Sequence, residues 1–75
     1  MELDEFVAKF AEQFDETDAS EITPTTLFHS LEEWSSILGM CVIAMAKTEY
    51  GKNVTGAEIR QCKTVEDLFV LVRDK

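Results

Sequence analysis

Ser36, His29, Cys41 and Cys62 are the side chains of this sequence whose types suggest chemistry. Ser36 stands where a long connecting segment turns into a helix, which sets its Oγ beside backbone N–H groups that have no partner inside the helix. Those donors and the helix dipole together favour an anion, so a phosphate ester on Ser36 would be stabilised there. Plain capping is the competing explanation, because serine before a helix is common and Ser35 and Ser36 both suit it. His29, the only histidine, lies seven residues before Ser36. A hydrolase built on that pair would also need an acid and oxyanion donors converging on the serine, in a chain too small to enclose much space. Cys41 sits among apolar neighbours, which disfavours its thiolate as a nucleophile. No Cys/His cluster has zinc-ligand spacing and the acids lack the alternation of a calcium loop, so no metal is expected.

The elements that must position these residues read as helices. Leu3, Phe6, Val7, Phe10, Ala11 and Phe14 draw one apolar stripe down a helix over about residues 2 to 15. Pro24 and a Ser/Thr/Asp-rich stretch prevent residues 16–35 from continuing it. Ile22, Leu27, Phe28, Leu31 and Trp34 are apolar anchors within this stretch, which predicts a loop pinned to the core with a helical turn near residues 25–30. A second helix is expected over residues 36–50, with Ser35 as N-cap and Gly51 just beyond its end. Thr55-Gly56-Ala57-Glu58 and Thr64-Val65-Glu66-Asp67 open two more helices, a short one to about Cys62 and a last one carrying Val65, Leu68, Leu71 and Val72 on one face. No strand-period alternation occurs. The fold class is all-α, a small bundle of three long helices and one short, in a single domain over residues 1–75.

Charge narrows the range of partners. Fifteen acids against seven bases leave −8, which repels phosphate backbones and anionic lipids and attracts basic surfaces, so nucleic acid is not an expected partner. The acidity is lopsided: residues 1–34 hold ten acids and one base, residues 35–75 five acids and six bases. The longest apolar run, residues 37–46, is about half of what spans a bilayer, so no membrane span is expected. The start has neither the basic residues nor the apolar stretch of a secretory signal, which gives the expectation of a cytoplasmic protein with two free thiols.

An apolar first helix, a long loop ending in Leu31-x-x-Trp34, Ser36-Ile37 at the start of the second helix, Glu49-Tyr50-Gly51 at its end and Lys63-Thr64-Val65-Glu66-Asp67-Leu68 at the start of the last together resemble the acyl carrier protein family. The resemblance covers nearly the whole chain. It implies a four-helix bundle of acyl-carrier type in which Ser36 carries a 4′-phosphopantetheine arm, with acyl or aminoacyl intermediates held on it as thioesters. Partners would be a phosphopantetheinyl transferase and the acyl-loading and acyl-processing enzymes of fatty acid or polyketide biosynthesis, served by a monomer that catalyses nothing itself. Two features depart from the family pattern. Ser35 stands where the family has the aspartate that aids the transferase, and residues 35–46 hold no charge where the family usually shows partners an acidic face.

A helix apolar on every side is either buried all round or presents a contact surface, so some of Ile37, Leu38, Met40, Cys41 and Ala44 should be exposed. The alternative function is therefore an unmodified helical protein-interaction module that keeps the carrier fold. Gly39 inside that helix suggests close helix packing or clearance for an arm or partner. Met40 and Met45 offer adaptable packing for a fatty chain that the resemblance places inside the bundle, or belong to an ordinary core. Trp34 anchors the loop or walls an arm on Ser36.

Overall fold

Capping residues decide where the helices begin and end. A computed structural model describes residues 2–75 and contains α1 (Leu3–Ala11), α2 (Ser36–Tyr50), α3 (Gly56–Gln61) and α4 (Val65–Arg73), joined in the first connection by single 3-10 turns at Ala19–Glu21 and Phe28–Ser30. No strand occurs among the described residues; one antiparallel bridge joins Leu27 to Thr64. Nor is any described helix long and apolar enough to cross a membrane. Thr55 and Thr64 each close a reciprocal capping box, with Glu58 and Asp67 as their partners. α2 starts on Ser35 and stops at Gly51, whose φ of 66° is the left-handed conformation that glycine takes without strain.

α1 lies against α2 and α4, and α2 against α3. Phe6, Phe10, Phe28, Leu68, Val42, Val65 and Val72 are fully buried where these helices and the loop meet. Phe10 is the hub, 5.4 Å from both Phe14 and Phe28 and 6.2 Å from Trp34 between ring centres.

α1 ends at Ala11, four residues earlier than its apolar stripe predicts. The Gln13 and Phe14 amides bond back only three residues, to Phe10 and Ala11. Beyond them, the Glu33 carboxylate accepts hydrogen bonds from the amides of Asp15 (2.8 Å), Glu16 (3.0 Å) and Thr17 (2.8 Å) and from the Thr17 hydroxyl (2.8 Å). Those amides cannot also extend the helix. The tightened turn still buries Phe14.

The loop is pinned, as its anchors predict, though not at every anchor. Ile22 and Phe28 are buried, and Leu31 and Trp34 pack against the core. Leu27 is 55% exposed; its backbone, not its side chain, makes the attachment, through the bridge to Thr64. The carbonyls of Thr26 and Pro24 accept from the Val65 and Glu66 amides, so loop backbone satisfies the start of α4. The helical turn expected over residues 25–30 occupies Phe28–Ser30, and the earlier turn at Ala19–Glu21 closes its own capping box between Asp18 and Glu21.

Candidate functional site

Adjacent serines divide the start of α2 between them. Ser35 is extended, at φ −154° and ψ 173°, and its Oγ accepts from the Leu38 amide at 3.3 Å. Capping is therefore the role of Ser35. Ser36 is the first helical residue and is exposed, and its hydroxyl makes no hydrogen bond among the described residues. Its own amide and that of Ile37 lie in the unpaired first turn. The hydroxyl on which the sequence reading depends thus stands in solvent at a helix start, with nothing competing for it.

Ser36 opens on a groove of about 450 Å³ between α2, α3 and the end of the loop. Trp34, Met40, Ile43 and Ile59 make its apolar walls, Gly39 and Gly56 lie along it, and His29, Ser35, Ser36 and Arg60 supply its polar atoms. Trp34 is held in place by Phe28, 4.9 Å away edge to face, and by Phe10. A side chain anchored to the core on one side therefore walls the groove on the other. Gly39 owes nothing to tight helix packing: a Cβ there would meet only the Trp34 ring, at an ordinary 3.8 Å. Its missing methyl leaves room in the groove instead.

The outer face of α2 matches its uncharged sequence. Ile37 is 72% and Met40 69% exposed. Ala44 is exposed too, Cys41 is half-buried, and Leu38 is in the core. Met40 and Met45 do not form a pair, because Met45 is buried in the core while Met40 faces solvent beside the groove.

His29 serves as a strut. Its Nε2 lies 3.1 Å from the Ile59 carbonyl and 2.9 Å from the Cys62 carbonyl. Both partners are acceptors, so Nε2 carries the proton and donates to them, tying the loop to the end of α3. That nitrogen offers no lone pair to Ser36. Cys62 is buried and Cys41 half-buried, and both are unbridged. Burial, with Asp67 and Glu58 nearby, pushes the Cys62 thiol above its ordinary range. Among the described residues there is no group of three or more His, Cys, Asp or Glu that could hold a metal.

Three contributors were invisible to sequence reasoning. Ile59 and Arg60 reach the groove from a six-residue helix too short to show a periodic face. Glu33 fixes the loop that carries Trp34 by contacts to residues 16 to 18 positions away, for which no local signal exists. A second hollow, of about 390 Å³, is lined by Glu16, Glu21, Glu32 and Glu33 with Thr17 and Leu31, which concentrates acid on the loop and away from the groove. No family model, curated protein or solved structure matches the chain.

Proposed function

We propose that this chain is an acyl carrier protein, with Ser36 as the attachment point of a 4′-phosphopantetheine arm. The observation that carries the reading is the free, exposed Ser36 hydroxyl at the first residue of a well-capped fifteen-residue helix, beside an apolar groove. It is supported by the order and spacing of the motifs that resemble the family along nearly the whole chain. When attached, the arm supplies a terminal thiol on which acyl or aminoacyl groups are carried as thioesters.

The residues present fit that group. Loading needs an unhindered hydroxyl: its oxygen bonds to phosphorus of coenzyme A, the adenosine nucleotide leaves, and the serine proton passes to the transferase. Ser35 keeps the helix start rigid while leaving its neighbour's oxygen free. Amides of the first turn and the positive end of α2 then stabilise the phosphodiester charge. Trp34, Met40 and Ile43 shield the first part of the arm from water. Partner enzymes gain from the tether, which holds cargo at high effective concentration near their active sites.

Exposure of Ile37 and Met40, with Ser35 in the place of the family's aspartate, favours a second reading, an unmodified helical module that docks partners on the apolar face of α2. One measurement separates the two. After incubation with coenzyme A and a broad-specificity phosphopantetheinyl transferase, intact mass should show one pantetheine group on the wild type and none on Ser36→Ala. A wild type that gains no mass leaves the second reading in its place.

A further inference from the structure

Among the described residues, Arg60 is the only formally charged side chain lining the groove onto which Ser36 opens, and no carboxylate lines it. In a chain of net charge −8, that sets the groove apart from its surroundings. Arg60 makes no ion pair among the described residues, whereas Lys9, Arg73 and Lys75 each hold an acid. Its guanidinium folds back along α3 towards the first turn, so that a Cβ on Gly56 would stand 3.5 Å from Nη1, the direction in which helical side chains lean. Gly56, beside which the guanidinium lies, lines the same groove as Ser36.

We infer that Arg60 is the residue that binds the phosphodiester of an arm attached to Ser36, holding the base of the arm across the groove between α2 and α3. The inference rests on the carrier reading and adds a residue to it. A guanidinium suits this task because its planar donors can engage two phosphate oxygens at once. The apolar walls of Trp34, Met40, Ile43 and Ile59 displace water from one side and so strengthen the attraction. Free phosphate would gain little here, since the net negative field of the molecule opposes it. A covalent tether overcomes that field by keeping the anion local.

The test loads wild type, Arg60→Gln and, as a control of equal charge change outside the groove, Lys63→Gln, with intact mass confirming each product. All three unloaded proteins should melt together. Loading should raise Tm in the wild type and in Lys63→Gln, and by less than half as much in Arg60→Gln, with the difference vanishing in 1 M salt as screening dictates. The Arg60 Nε–H resonance should move on loading, and the 31P line should differ between loaded wild type and loaded Arg60→Gln. An equal Tm rise and an unchanged 31P line in Arg60→Gln would overturn the assignment while leaving the carrier reading intact. Inorganic phosphate shifting the unloaded Arg60 resonance as far as loading does would also overturn it, by revealing a site for free anions. If the wild type accepts no arm, the carrier reading falls and this inference with it.

Discussion

Ser35 and Ser36 are chemically alike, and only backbone geometry separates their roles. The extended φ and ψ of Ser35 turn its oxygen back to the Leu38 amide, while Ser36, already helical, points away. Ser36→Ala should abolish loading while leaving the far-ultraviolet circular dichroism and Tm unchanged. Ser35→Ala removes the cap and should cost about 1 kcal/mol in denaturant unfolding, with Ser36 still present to be loaded. Gly39→Ala should act in the opposite direction and stabilise by about 1 kcal/mol, because the helix gains propensity and the new methyl meets only the Trp34 ring at 3.8 Å. A loss of stability in that variant would mean that glycine is needed for packing after all. Phe10→Ala should cost roughly 3 to 5 kcal/mol, a large share of the total stability of a domain of this length, at about 0.05 to 0.15 kcal/mol per residue.

The elements differ in how fully the sequence reveals them, and the difference follows the reach of the interactions that end them. α2 is legible to the residue because both of its termini are fixed locally, by Ser35 and by the left-handed Gly51. The Thr-x-x-acid starts of α3 and α4 are legible for the same reason. The end of α1 is not, since it is set by Glu33, far along the chain. The candidate site is legible in its serine and in Trp34, and illegible in Arg60 and Ile59, which only tertiary packing brings to the groove.

Loop attachment also makes a prediction about pH. Partial burial works against ionisation of Glu33, but hydrogen bonds from the Asp15 amide, the Thr17 hydroxyl and the Glu16 and Thr17 amides prevail and hold its carboxyl below the ordinary glutamate range. The Lys75 ammonium and the Thr55 amide lower Glu58, and the amides of Thr64 and Lys63 lower Asp67. A carboxyl lowered in the folded state contributes stability that is complete above its unfolded pKa, about 4, and is lost as pH falls through the lower folded value. Tm should therefore hold steady from neutrality to about pH 5 and drop below pH 4. In Glu33→Gln the Tm at neutrality should be lower and the acid-side drop shallower; an unchanged slope would show that the loop is held by other means.

At the scale of the whole molecule, four helices of six to fifteen residues and a long loop form one core only because apolar side chains from every segment converge on it. Phe10, Phe28 and Trp34 link α1, the loop and the candidate site in one run of rings. Damage to the core should therefore reach Ser36 through Trp34, and Phe28→Leu should broaden the Trp34 indole resonance before it unfolds the protein. The hollow rimmed by Glu16, Glu21, Glu32 and Glu33 is a separate place from the uncharged outer side of α2. For a partner that is positively charged and also seats on α2, recruitment and adhesion would then act through different parts of the surface. Raising ionic strength would make productive collisions rarer while leaving the lifetime of each finished complex nearly the same.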